Sequence, residues 1–193
     1  MSANPRQVMI DSQLRPQGVN DRAILAAFAA IPREDYVPEG MKDVAYRDRS
    51  VPLGDGRFMI PAAALGAMLQ ALGKCDKKNA LVVGPGADYA AALLDYLGYE
   101  VTALDGAKGD IAKGHKKGAP YDAILLLGAA EERPEELIKQ LAEGGRIVMG
   151  RADRGVTRLA AGTKAGGAVA LDDFADAQLP LVEEFARKPA FSF

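Results

Sequence analysis

Two glycines and an aspartate carry the first chemical signal in this chain. Gly84-Pro85-Gly86 follows a short apolar run, Ala80-Leu-Val-Val83, and precedes an apolar stretch of helical type, Ala87 to Leu97. A glycine-rich turn between strand and helix lets backbone approach a ligand, and the helix N-terminus adds free N–H groups and partial positive charge. Glu100 to Leu104 reads as a second strand, and Asp105 follows it, 19 residues after Gly86. A carboxylate there can accept hydrogen bonds from a ribose diol. Tyr89 occupies the third glycine position of the fingerprint G-x-G-x-x-G, so the dinucleotide motif is not met. A nucleoside ligand without a pyrophosphate is preferred, and S-adenosylmethionine is such a ligand. The competing reading is a plain tight turn and a helix-capping surface acid, because a short glycine motif is weakly specific.

Other reactive side chains stand alone. His115 is the single histidine and lies in a lysine-rich stretch, which reads as a solvated loop. Cys75 is the single cysteine, so an internal disulfide is excluded, and no histidine stands by to serve as its base. No metal site is readable from so few ligands.

The elements that would hold the turn and the acid follow from periodicity. Asn20 and Asp21 offer an N-cap to an alanine-rich helix over Ala23–Ile31, stopped by Pro32. Arg33 to Gly56 reads as loop. Pro61 opens a helix over 62–72, with Leu65, Met68, Leu69 and Leu72 at helical spacing. Tyr121 to Leu127 is a third strand, Glu131 to Leu141 a helix, and Ile147 to Met149 a fourth strand. Strands alternating with helices predict an α/β domain with a parallel sheet. Gly155–Ala161 and Gly167–Phe174, around a Gly-Thr-Lys-Ala-Gly turn, read as an antiparallel hairpin, and 179–193 as an edge strand.

Composition bounds the rest. In 193 residues, 26% are charged and 49% hydrophobic, with formal net charge −2, which suits one globular domain rather than a disordered chain. A net charge that is not basic gives no support for bulk nucleic-acid binding. The longest apolar run, Ala23 to Ile31, is about half the ~18 residues of a membrane span. With no charged-then-apolar leader pattern at its start, the chain reads as cytoplasmic. Oligomeric state is not legible.

A wider set of motifs is more specific than the turn. Asp11-Ser-Gln-Leu-Arg-Pro-Gln-Gly18 is followed by Ile31-Pro-Arg-Glu-Asp-Tyr-Val-Pro38, then Ala45-Tyr-Arg-Asp48 and Pro52-Leu-Gly-Asp-Gly56. Later come Pro120-Tyr-Asp-Ala-Ile124 and Gly144-Gly-Arg-Ile-Val148. In this order they resemble the protein-L-isoaspartate (D-aspartate) O-methyltransferase family, over roughly residues 8–150. The resemblance implies a Rossmann-like class I methyltransferase sandwich. It implies methyl transfer from S-adenosylmethionine to a carboxylate of damaged protein, or of another acid substrate. Gly84, Pro85, Gly86, Tyr89 and Asp105 form the cofactor-binding set. Gly84 and Gly86 would approach the methionine part, and Asp105 would bind the ribose. The resemblance assigns no catalytic residue.

Three departures set further expectations. Where the family carries hydroxyl residues for the substrate carboxylate, this chain has Arg57-Phe-Met-Ile60, in which Arg57 alone could meet an anion. Asp88 replaces a third glycine and could sit benignly in the first helical turn. Only 15 residues, Gly106 to Pro120, separate Asp105 from Tyr121, with four glycines, four lysines and Ile111 as the one large apolar residue. A crossover helix and a strand do not fit in that span. One helix and one strand are therefore expected to be missing or vestigial, leaving a basic loop with nothing to cover a sheet face. Gly109-Asp110 is a candidate remnant of an adenine-contacting pair. The expected architecture has a mostly helical cover (1–75), a Rossmann-like core with a reduced sheet (76–150) and a C-terminal antiparallel hairpin and edge (151–193). The alternative function is a degenerate, non-catalytic member acting as a binding or regulatory module, and a reductase using NAD ranks behind both.

Overall fold

A computed structural model of the chain describes residues 4–73, 79–107 and 110–187. The central sheet runs in the order β4-β3-β5-β6-β7, with β8 and β9 both against β7. Here β3 is Asn79–Val83, β4 Glu100–Leu104, β5 Tyr121–Ala130, β6 Leu141–Asp153, β7 Val156–Ala165, β8 Ala168–Val169 and β9 Asp172–Asp176. The first four pair in parallel and β7 runs antiparallel to β6. Helix α4 (Ala87–Tyr96) joins β3 to β4. This is the expected Rossmann-like sandwich. Its sheet is reduced, because β4 is its edge and two 3-10 turns stand between β4 and β5.

Period-two alternation sorts the strand residues between two cores. Ala80, Val82, Ala123, Leu125 and Val148 face one core, with α2 (Arg22–Ala30), α3 (Ala62–Leu72) and α4. Leu81, Val83, Ile124, Leu126 and Met149 face the other, with α5 (Glu135–Lys139). Asp21 starts α2 by accepting from Ala23 N–H at 2.8 Å and Ile24 N–H at 3.2 Å. The first core is thick and helical; the second is thin.

The thin face corrects one expectation. Ile111, 3% exposed, packs into the second core from a 3-10 turn, so the short span does cover sheet. Gln140 Nε2 donates to Lys113 O at 2.8 Å, and Asn79 Nδ2 to Gly118 O at 3.0 Å, fastening the span from two sides. His115 is no bare loop residue: its Nδ1 lies 3.1 Å from the Tyr121 hydroxyl, which donates to His115 O.

Other differences have local causes. The helix expected from Glu131 shrinks to α5, because the N–H groups of Glu131 and Glu132 both donate to Phe185 O at 3.0 Å. Arg33–Gly56 is not plain loop: two 3-10 turns lead to a hairpin of β1 (Val51–Gly54) and β2 (Arg57–Met59). Its turn residues Asp55 and Gly56 have φ of 51° and 72°, the conformation that Asp-Gly favours in two-residue hairpins. The C-terminal turn falls at Gly166-Gly167 rather than at Gly162, so β7 runs on to Ala165 and also pairs along β6. The segment from Leu179 forms one bridge, Leu181 to Ala129, and then a 3-10 turn rather than an edge strand. Its residues 188–193, like Cys75 and Gly109, lie outside the described residues.

Arg33 ties the cover to the sheet. It is fully buried, and its Nε donates to Ala45 O at 2.9 Å and its Nη2 to Ile60 O at 2.6 Å. Its guanidinium lies 5.2 Å from the centre of the Tyr89 ring, which also packs on Phe28 and Tyr36. Burial pushes the Tyr89 hydroxyl up to about 12, against the pull of the Arg33 charge. The folded value exceeds the ordinary one of about 10, so this contribution is intact below pH ~10 and is lost as pH rises toward ~12. Stability is expected to fall by about 2–3 kcal/mol over that window on account of Tyr89. Urea midpoints at pH 9 and pH 11.5 should converge more closely in Tyr89→Phe than in the parent chain.

Candidate functional site

Ligands in open α/β sheets bind beyond the carboxyl ends of the strands, where the strand order reverses. Here that point lies between β3 and β5, since the chain passes from β3 out to β4 and returns to β5 on the other side. A cavity of about 330 Å³ opens there. Pro85 follows β3, Asp105 and Gly106 follow β4, and Leu127 belongs to β5; all four line it. The β1–β2 hairpin supplies one wall through Asp55, Arg57 and Phe58, and the segment 180–184 supplies the other.

The segment 180–184 is held on β5 by Ala129 N–H donating to Pro180 O at 2.8 Å and Val182 N–H donating to Ala129 O at 3.0 Å. The opposite wall is held by packing. A Cβ on Gly86 would meet Met59 Cγ at 2.9 Å, so Met59 of the hairpin sits directly on the turn. A Cβ on Gly84, whose φ is 116°, would meet Leu127 O at 2.6 Å. Both glycines therefore serve close packing within the chain, and Pro85 between them is the turn residue that faces the cavity.

Asp105 is half-buried. Its Oδ1 accepts from Ala107 N–H at 2.8 Å, which fixes the carboxylate at the end of β4. Its Oδ2 lies 3.4 Å from Arg57 Nη1. The two side chains are 36% and 26% exposed, so both are open to the cavity. Asp88 is exposed in the first turn of α4, the benign position for an acid. The Tyr89 ring is fully buried against Arg33 on the cover side and does not line the cavity. Of the five expected residues, Pro85 and Asp105 line the groove, Gly84 and Gly86 pack against Leu127 and Met59, and Tyr89 braces the helix behind it.

The residues present suit a nucleoside. The volume is at the lower end of small-molecule pockets, a carboxylate oxygen faces the cavity, and Leu127, Ile111 and Val182 give apolar surface. Among the described residues no group of acids, histidines and cysteines is arranged to hold a metal ion. No described helix is long and apolar enough to cross a membrane.

The family model for protein-L-isoaspartate (D-aspartate) O-methyltransferase matches residues 4–104 and 99–182. The chain belongs to that family. A protein-L-isoaspartate O-methyltransferase 1 of Rhodopseudomonas palustris is 36% identical over 169 residues, spanning 76% of this chain and 69% of the relative. One from Methanoculleus marisnigri is 33% identical, spanning 77% and 79%. Among solved structures, a Plasmodium falciparum chain described as such a methyltransferase, in complex with S-adenosyl-L-homocysteine, superimposes with a TM-score of 0.75 at 16% identity, covering 95% of this chain and all of that one. A second protein-L-isoaspartate O-methyltransferase gives 0.73 at 19% identity, covering 94% of this chain and 67% of the other.

Sequence reasoning missed several residues of this family member's groove. Asp55-Gly56 between apolar residues was a readable hairpin signal. Glu183 and Glu184 gave none, because nothing local says that a tail segment returns to the end of β5. The Arg57–Asp105 pair is solvent-screened and holds no secondary structure together. Arg57→Gln and Asp105→Asn are therefore expected to change unfolding free energy by less than about 1 kcal/mol. Gly84→Ala, which forces a Cβ into the Leu127 carbonyl, should cost about 2 kcal/mol or more. Urea denaturation of the three variants checks the contrast.

Proposed function

We propose that this chain is an S-adenosylmethionine-dependent O-methyltransferase acting on a carboxylate of a damaged, isoaspartyl-containing protein or peptide. The observation that carries the reading is Asp105, a cavity-facing carboxylate at the carboxyl end of β4, in the cavity at the switch point of the sheet, in a member of this family. Asp105 would accept from the ribose hydroxyls, and Pro85 with the backbone of the Gly84–Gly86 turn would flank the methionine part. Ala107 and Ile111, from the short span between β4 and β5, would offer an apolar side to the base. S-adenosylmethionine, when bound, supplies a methyl group on a sulfonium, and a carboxylate oxygen takes it as the carbon–sulfur bond breaks toward sulfur.

Such a reaction moves no proton, so no acid or base is required of the protein. What the chain contributes is position, charge and exclusion of water. Among the described residues, Asp55, Asp105, Glu183 and Glu184 face the cavity with Arg57 as the one cation. That excess of negative charge attracts a cationic cofactor. The β1–β2 hairpin overhangs the groove and shields it on one side. The non-catalytic alternative has no observation in its favour. The proposal also keeps the chain in the cytoplasm, where a single cysteine calls for no oxidising environment.

The test is transfer of labelled methyl from S-adenosylmethionine to an isoaspartyl peptide, with the aspartyl peptide of the same sequence as control. The reading expects base-labile label on the isoaspartyl peptide, reduced at least tenfold by Asp105→Ala. Label on neither peptide would count against it.

A further inference from the structure

We infer that Arg57 is the acceptor-carboxylate residue of this groove and that its pairing with Asp105 holds it in reserve until the ribose position is filled. The inference rests on the methyltransferase reading above. A carboxylate acceptor entering this cavity meets four acids, and like charges at close range repel. It needs a counter-charge, and among the described residues Arg57 is the one basic side chain lining the cavity. A guanidinium suits the task, because its planar fork can hold both oxygens of a carboxylate.

The geometry shows a residue whose backbone is fixed and whose head is weakly held. Arg57 opens β2, paired with Gly54 across the hairpin. Met59, two residues on and on the same face, anchors that strand on Gly86. The side chain is partly exposed, and its contact with Asp105 is 3.4 Å, long for a charge-assisted hydrogen bond. On Asp105, Oδ1 is already committed to Ala107 N–H, which leaves Oδ2 as the oxygen that faces Arg57. A ribose hydroxyl donating to Oδ2 would compete with Arg57 for it. Asp105 so engaged releases the guanidinium toward the acceptor. Filling one position then strengthens binding at the other, and by linkage the effect is reciprocal.

The test is calorimetric and needs no turnover. An isoaspartyl peptide is titrated into the parent chain with and without saturating S-adenosylhomocysteine, and so is the same peptide with that carboxylate converted to a carboxamide. The expected result is about tenfold tighter binding of the carboxylate peptide when S-adenosylhomocysteine is present, within the usual range of such couplings, and no gain for the carboxamide. Arg57→Gln should abolish the gain and raise the peptide KM at least tenfold. Its kcat should change little, and it should bind S-adenosylhomocysteine as well as the parent or up to threefold tighter. Arg57→Lys should recover part of the peptide affinity. Equal peptide binding with and without S-adenosylhomocysteine overturns the inference. So does an Arg57→Gln variant that loses tenfold in S-adenosylhomocysteine affinity while keeping peptide affinity. If the parent chain binds no S-adenosylhomocysteine, the methyltransferase reading itself fails and the inference falls with it.

Discussion

A guanidinium cut off from water needs acceptors inside the protein, and Nε and Nη2 of Arg33 find theirs on segments far apart in sequence. It donates to Ala45 O in the cover and to Ile60 O at the foot of the hairpin, and it faces the Tyr89 ring on the helix after the glycine turn. Burial pulls its pKa below the ordinary arginine value, against the opposing pull of Tyr89 and Tyr46. Leaving either carbonyl unpaired in the core would cost about 1–3 kcal/mol each. The arrangement therefore forces cover, hairpin and α4 into one relation. Nearby, the Tyr46 hydroxyl accepts from Arg33 N–H and donates to the Glu34 carboxylate, which extends the same polar cluster.

The groove is a consequence of that relation. With Ile60 held by Arg33, the preceding Met59 drops onto Gly86, and the hairpin arm leans over the ends of β3 and β4. Arg57 then meets Asp105 without any special device. On the opposite side, the segment 180–184 is stitched to β5 at Ala129, next to Gly128, whose missing side chain leaves room for Val182 and Pro180. The floor is ordinary α/β geometry. The walls come from segments on either side of the core in sequence, 55–58 before it and 180–184 after it.

This division explains what could be read in advance. The β3–turn–α4–β4 unit was legible because each part is decided within about ten residues: apolar runs, the paired glycines, a C-terminal glycine, the acid after the strand. The missing helix and strand were legible from length alone, and β4 lies at the sheet edge as that predicts. Helix α3 starts and stops where Pro61 and Gly73 say it should. Whatever depended on distant partners was not legible. Nothing local marks Arg33 as buried or turns Tyr89 away from the groove. Nor does the sequence around Glu131 reveal that Phe185 takes its N–H and shortens the helix. Ile111 looked too isolated to cover a sheet, yet one buried side chain, pinned by Gln140 and Asn79, does so on the thin face.

On the proposed reading, the groove at the carboxyl ends of β3 and β4 holds a nucleoside through Asp105. Calorimetric titration of the parent chain with S-adenosylhomocysteine, alongside Asp105→Ala, tests it most directly. The expected result is a single saturable site of micromolar affinity, weakened at least tenfold in Asp105→Ala while the urea midpoint of that variant stays near the parent's. No heat at millimolar ligand, or equal affinity in the two proteins, would contradict it.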